Sequence, residues 1–398
     1  MPQRRSPLYE NHLRLGAQMV LGGGDYLFPL AYASPIEEHV NTRTNLGMQD
    51  LSSMGEVDIK GPGAERLLSR LLVNEVRDMH PGQVRYSTLC NEQGGIIDDI
   101  TAYKFHDEHF MVVTSSGPRK RTFRWIAEQA AGAAAYITDI SGSVALPVVQ
   151  GPRSREFLRT LVQDADLDAL RFFNFARARI GETELIISRS GYTGELGYEL
   201  YTPAEEAGPL WEQLLAAGRA FGLMPYGVTA MQSLRIEKAL PLYGKDITEE
   251  LTPFQLGLDR FIRFDKREFM GREALLRAQE RGLESRWVGL ILHGEIAAAP
   301  DAKIFPVGAV DTTTRKLFSG PEAGAPVDKL LPGDQEIGTV TCSARGHTVG
   351  KLLALAHLRA PYAWPGSRVV VMVKDRPVPA TVTATPFFDP QGARMRAK

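Results

Sequence analysis

The sequence predicts an α+β chain that ends in a small β-barrel. Three observations lead there. Segments that alternate in polarity at 57–61, 85–90, 96–105 and 109–114 are interleaved with helical patterns at 63–73 and 118–130, an order that lays helices on one face of a sheet. Beyond Trp287 the pattern becomes short apolar runs at 287–292, 337–341, 351–357, 368–373 and 379–383, separated by Gly and Pro. The 398 residues, 43% hydrophobic and 23% charged, can bury a core and are enough for two or three domains.

Taken in order, residues 8–20 have a helical rhythm and run into three glycines, Gly22 to Gly24, which read as a loop. These lack the spacing of a dinucleotide fingerprint. Residues 34–46 predict a helix, with Ser34 as its cap, Pro35 in the first turn, and Glu37 and Glu38 at the positive end of the helix dipole. After the strand–helix–strand–strand–helix unit, a strand is expected at 144–149 and a helix at 153–162. Strands at 184–189 and 197–201 bracket a GYTGE turn, and helices follow at 205–221 and 226–239. Residues 263–286 read as a charged connector containing a helix. Domain boundaries are therefore expected at 1–50 plus 142–262, at 51–141, and at 287–398 after the connector.

Lys plus Arg (46) balances Asp plus Glu (47), leaving a net charge of −1, so no positive field exists to gather nucleic acid or a membrane surface. Two cysteines, Cys90 and Cys342, do not make a disulfide framework, and no Cys/His cluster has zinc-ligand spacing. The first residues are polar, unlike a secretory signal, and no run approaches the ~20 apolar residues of a membrane helix. A cytoplasmic protein without a bound metal is the expectation.

Two stretches carry the chemistry. Residues 91–99 read NEQGGIIDD and residues 191–199 read GYTGELGYE, each placing carboxylates beside glycines. Asp98 and Asp99 sit at the start of a strand, where successive side chains face opposite sides, so only one can enter a given cleft. The alternative for this pair is a solvated or turn-capping role. Glu199 follows Leu196 and Tyr198 and needs partners for its carboxylate, either an internal arginine or the paired N–H groups of a flat heterocycle. Tyr86, Tyr192 and Tyr198 could stack on such a ring or could belong to the core. Arg235 and Glu237 in SLRIEKAL read as a structural ion pair, and no nucleophilic triad emerges from the eight histidines.

The ordered set SPLYENHLRLGAQM (6–19), MQDLSSMGEVDIKGPGA (48–64), YSTLCNEQGGIIDDI (86–100), ALPVVQGPRS (145–154), SGYTGELGYEL (190–200), SLRIEKALPLYGKD (233–246) and FMGREAL (269–275) resembles the glycine cleavage T-protein (aminomethyltransferase) family. Parts of it are similar to the folate domains of dimethylglycine and sarcosine dehydrogenases. The resemblance implies a three-domain cloverleaf of the T-protein type around tetrahydrofolate. Asp98 matches the catalytic aspartate, Glu199 the carboxylate that grips the pterin edge, and Tyr192 the tyrosine beside it. Met54, Tyr86, Val112 and Ser115 match segments lining the pterin cavity. Tyr26, Met231, Asp259 and Arg260 fall where the donor would be met. The chain departs from glycine-specific T-proteins in carrying Met231 for an arginine, Ser53 for a histidine, Ser115 for an asparagine, and the charged pair Asp259–Arg260 near an aromatic position.

The implied activity is transfer of a methyl or methylene unit from a small N-methyl or aminomethyl donor to tetrahydrofolate. Two alternatives are an O- or S-demethylase of a methoxyaromatic or sulfonium donor, and a folate-binding subunit of a split flavin dehydrogenase. The partner would then be a flavoprotein or a carrier protein.

Overall fold

The computed structural model describes residues 3–308 and 332–397; residues 309–331 of the expected barrel domain lie outside the described part. The chain divides into two compact units. One comprises Met1–Met231, Arg260–Leu275 and Gly392–Lys398, the other Gln232–Asp259 and Leu276–Gln391.

The first unit is built on two sheets. One runs Val162–Gln163, Phe175–Ile180, Thr183–Ser188, Gly197–Pro203, Pro147–Gln150, Leu46–Asp50 and Leu223–Pro225, with Val144–Ala145 paired to the far end of Gly197–Pro203. All of its pairings are antiparallel except the last, Leu223–Pro225 beside Leu46–Asp50. The helix Ala207–Gly218 covers it with Leu210, Trp211 and Leu214, which pack against Val149, Ile187, Tyr198 and Leu200. Each such side chain stabilises the fold by about 1.5–3 kcal/mol through burial alone.

The other sheet runs Gln83–Cys90, Ile96–His106, His109–Thr114, Gly55–Lys60 and Tyr136–Asp139, all antiparallel. Helices Ala64–Leu71 and Arg119–Gln129 lie on one face, where Leu67, Leu68, Leu71 and Ile126 meet Val57, Ile59, Phe110 and Val112. The opposite face carries Val84, Tyr103, Met111 and Val113. These pack against Leu146, Val148, Phe175 and Tyr201 of the first sheet, so a shared core joins the two.

The amino-terminal helical rhythm is realised only over Tyr9–Arg14. Gly16 at φ +74° ends it, and Gln18–Leu21 then pairs with Leu27–Ala31 as a hairpin around a 3-10 turn at Gly23–Asp25. The helix Pro35–Thr44 begins with proline as expected, but Ser34 makes no side-chain cap. Glu38 serves the chain entry instead: its Oε1 accepts from the backbone N–H of Tyr32 (2.6 Å) and Ala33 (2.8 Å).

The second unit contains a closed barrel, ordered Ser285–Leu292, Lys351–Arg359, Gly338–Gly346, Lys303–Pro306, Arg368–Val373 and Arg376–Thr383. Alternate residues fill it, among them Leu290, Val340, Ala354, Ala356, Val369, Val371 and Val382. Outside it, Arg235 forms a structural ion pair with Asp246. Its Nη1 meets Asp246 Oδ2 at 2.6 Å, with both side chains fully buried. Glu237 accepts the backbone N–H groups of Thr348 (2.7 Å) and Val349 (3.2 Å). Cys90 and Cys342 are both buried free thiols, and burial pushes Cys90 up to about 12. No described helix is long and apolar enough to cross a membrane.

Candidate active site

Glu199 lies on Gly197–Pro203, between Val148 on one neighbouring strand and Ser188 on the other. Strand alternation sends Tyr198 and Leu200 into the helix-covered core and turns Glu199 and Tyr201 toward the second sheet. There Tyr201 Oη donates to Glu199 Oε2 at 2.9 Å, and Tyr103 Oη lies 3.1 Å from the same oxygen and 2.8 Å from Tyr201 Oη. Burial raises the Glu199 pKa above the ordinary value, while hydrogen bonds from Ser190, Tyr201 and Tyr103 oppose the rise. The side chain nevertheless keeps a partly exposed flank.

The preceding loop is held tight against its own sheet. An added Cβ at Gly197 would stand 2.2 Å from the Gln150 side chain, and one at Gly191 2.0 Å. A larger residue at either position would have to displace the Gln150 amide. The Gln150 amide then bonds to the Ser190 carbonyl (3.2 Å) and accepts from Thr193 Oγ1 (2.9 Å). Tyr192, carried between these anchors, stays partly exposed.

On the second sheet the two adjacent acids separate. Asp98 is fully buried; its Oδ2 accepts from Thr122 Oγ1 at 2.8 Å, on the helix Arg119–Gln129, and from the backbone N–H of Ser115 at 3.3 Å. Its Oδ1 is buried without a hydrogen-bond partner. Burial first, and then the neighbouring Asp99 carboxylate, push the Asp98 pKa well above the usual range. Asp99 is the partly exposed member, receiving Tyr86 Oη at 3.1 Å and Ser115 Oγ at 3.2 Å. Burial first, and then the Asp99 carboxylate, push the Tyr86 pKa well above its ordinary value.

The structure therefore brings together Tyr86, Ser115 and Asp98, with Asp99 as the partly exposed acid, and leaves Tyr192 partly exposed on the loop before Glu199. Met54 is partly exposed and joins the shared core between the sheets. Val112 does not join them: it is fully buried on the helix side, and its neighbours Met111 and Val113 face the shared core. Tyr198 is also a core residue, its hydroxyl taking a hydrogen bond from Arg155 Nε at 3.1 Å.

Among the residues expected to meet a donor, Tyr26 is buried and receives Arg119 Nη1 on its hydroxyl at 2.9 Å, with the Arg4 guanidinium over its ring at 4.7 Å. Met231 is partly exposed on the helix Val228–Glu237. Asp259 and Arg260 are exposed in a 3-10 turn. Arg260 lies over the ring of Phe261 at 4.7 Å, and Phe261 meets Tyr86 edge-on at 5.1 Å. Phe261 thus supplies an aromatic one residue beyond the charged pair.

Sequence reasoning missed Phe261 and the tyrosine pair Tyr103–Tyr201. It also missed Glu56, which is almost wholly buried with neither carboxyl oxygen hydrogen-bonded. Burial raises its pKa well above the usual value; Arg119 opposes the rise, and the charges of Asp139 and Glu199 add to it. Nothing in the sequence set Glu56 apart: in GEVDIK it alternates with Asp58 and Lys60, the pattern of a solvent-facing side of a strand.

The chain matches two family models, the GCVT N-terminal domain over residues 8–266 and the glycine cleavage T-protein C-terminal barrel domain over residues 316–389. It is 37% identical to an aminomethyltransferase of Moorella thermoacetica, covering 97% of this chain and 98% of that one. It is also 37% identical to an aminomethyltransferase of Streptomyces coelicolor, with 98% of each chain covered. The crystal structure of glycine cleavage system aminomethyltransferase T from Bartonella henselae superposes with a TM-score of 0.85 at 27% identity, covering 98% of this chain and 99% of that chain. The chain belongs to the glycine cleavage T-protein family. It has that family's fold and is a transferase of one-carbon groups.

Proposed function

We propose that this transferase moves a one-carbon unit from a small aminomethyl or N-methyl donor to tetrahydrofolate, the acceptor its family uses. The observation that carries the reading is the pair of tyrosine-tethered, partly exposed carboxylates, Asp99 and Glu199, in one compact unit. The donor set fits a reduced pterin. Its edge presents adjacent N–H groups, which suit a carboxylate already fixed by two phenols. Tyr86, Tyr192, Phe261 and Met54 offer ring and thioether surface for its faces.

When bound, tetrahydrofolate supplies the amine nitrogens that accept the carbon. The chain supplies position and charge. Glu199 anchors the heterocycle, and Tyr103 and Tyr201 keep its carboxylate aimed. The catalytic role expected of Asp98 passes in this proposal to Asp99, which Tyr86 and Ser115 orient. Asp99 handles the proton of the reacting amine and stabilises cationic charge developing beside it. Asp98, buried and disposed to stay protonated, keeps a second negative charge away from the same place. Alignment of donor, acceptor and proton carrier can account for several kcal/mol of barrier lowering, up to about 7–11.

The test is incubation with tetrahydrofolate and a donor panel, followed by mass spectrometry of the folate. The panel contains an aminomethylated carrier, N-methyl amines, methoxyaromatics and sulfonium compounds. The proposal expects methylene- or methyl-tetrahydrofolate from the first two classes. Product from the last two alone assigns an O- or S-demethylase, and product only on adding a flavoprotein assigns a split dehydrogenase. No folate product under any condition overturns the reading.

A further inference from the structure

We infer that Arg394 is a positioning residue for the folate site: residues 392–397 form a strap that fixes the 190–196 loop, and with it Tyr192 and Glu199, through Glu195. The inference rests on the reading of the site given above.

Glu195 sits in the middle of that loop and is 3% exposed. Arg394 Nε donates to both of its carboxylate oxygens, at 2.9 and 2.7 Å. Arg43 Nη1 approaches the same carboxylate at 3.2 Å and donates to the Thr193 carbonyl at 2.6 Å. Arg394 Nη2 then bonds to the Arg43 carbonyl at 2.7 Å, which closes the cluster. One short segment thus reaches the loop and the helix end beside it.

The same segment is held at both ends of the loop. Arg189, just before it, donates from Nη2 to the Ala397 carbonyl at 2.5 Å. Arg155 donates to that carbonyl at 2.8 Å and, through Nε, to the hydroxyl of Tyr198, the residue before Glu199. Burial raises the Glu195 pKa, and the two arginines oppose that rise. Without Arg394 the carboxylate keeps one cationic partner in a dry site, a state that favours taking up a proton and releasing the loop. Arg394 itself has 40% of its side chain exposed, so its replacement leaves the core intact. The Glu195 carboxylate is taken up by the two arginines. Its effect reaches the site through the backbone that carries Tyr192 and starts the Glu199 strand.

Arg394→Ala, Arg394→Lys and wild type are compared by calorimetric titration with (6S)-tetrahydrofolate and by hydrogen exchange of residues 190–197. Arg394→Ala is expected to raise Kd about tenfold, more at lower pH, with faster loop exchange and little change in melting temperature. Arg394→Lys is expected to restore part of the affinity. If Arg394→Ala does not fold, Glu195→Gln, which keeps the shape and removes the charge, must give the same loosened loop. Wild-type affinity in Arg394→Ala overturns the inference, as does unchanged loop exchange. A wild type that takes up no folate instead overturns the reading of the site, and loop exchange alone then decides the strap.

Discussion

Tyr86 Oη and Asp99 Oδ2 are joined at 3.1 Å, while Asp98, one residue earlier, is bonded to Thr122 on a covering helix. The two faces of one strand therefore divide two adjacent acids between an open side and a buried one. Only the acid on the open side keeps an exposed flank toward which a substrate can come.

Asp99→Asn is accordingly expected to lower turnover by about 10²–10⁴-fold, the span ordinary for a lost general acid or base. Asp98→Asn preserves the shape of a protonated carboxyl and is expected to keep turnover within about tenfold of wild type. Steady-state rates of the two variants with tetrahydrofolate decide between them. Loss of activity on the Asp98 side alone would return the catalytic role to Asp98.

Tyr86→Phe keeps the ring against Phe261 and removes the donor to Asp99. Turnover should fall about tenfold while KM for tetrahydrofolate stays nearly constant, because the lost bond orients the acid and leaves the ring surface in place. Measuring kcat and KM separately checks this; a rise in KM at constant kcat would assign Tyr86 to binding only.

The division between Asp98 and Asp99 also marks what could be read from the sequence. Alternation in QVRYSTLC, IIDDITAYKFH and HFMVVT made three strands legible, and it required that only one of the two acids face a cleft. Which one was not legible. The pairing is shifted between Leu89 and Cys90, and the covering helix that claims Asp98 lies 24 positions away. The strand FARARI at Phe175–Ile180 was missed because its arginines interrupt the apolar signal, and Lys303–Pro306 because it is so short. The tyrosines around Glu199 were out of reach for another reason. Tyr103 and Glu199 are 96 positions apart on different sheets, and no local pattern sets a register between sheets.

Acid stability should depend on Glu75. Burial acts to raise its pKa, but hydrogen bonds from the Arg77 side chain and backbone, from Ser69 and from the Val76 N–H outweigh burial and hold it down to about 2. A depressed carboxylate contributes its full stabilisation above the unfolded value near 4.5 and loses it as pH falls toward 2. Solvent screening at a site whose Arg77 partner is half exposed reduces the contribution to about 1–2 kcal/mol. Glu75→Gln should be less stable than wild type at pH 7 in urea, with the gap narrowing as pH drops toward 2. A gap that does not change with pH would contradict this.

In the second unit, Asp246 accepts Arg235 Nη1, the Leu242 N–H (2.9 Å), Trp287 Nε1 (3.2 Å) and Thr341 Oγ1. Asp246→Ala takes the carboxylate away from a buried guanidinium, which keeps Gln232 Oε1 (2.9 Å) and the Leu240 carbonyl (3.1 Å), and should cost about 3–5 kcal/mol of that unit's stability. Hydrogen exchange of the barrel strands in denaturant measures it. A loss below about 1 kcal/mol would show that the pair is not what holds this region.

Glu199 is the proposed anchor of a reduced pterin. Calorimetric titration of (6S)-tetrahydrofolate into wild type and Glu199→Gln tests it directly. The expected result is saturable one-site binding to wild type and an affinity at least about tenfold weaker in the variant, as befits loss of a charge-assisted pair of hydrogen bonds. Equal affinity in the two proteins would contradict it.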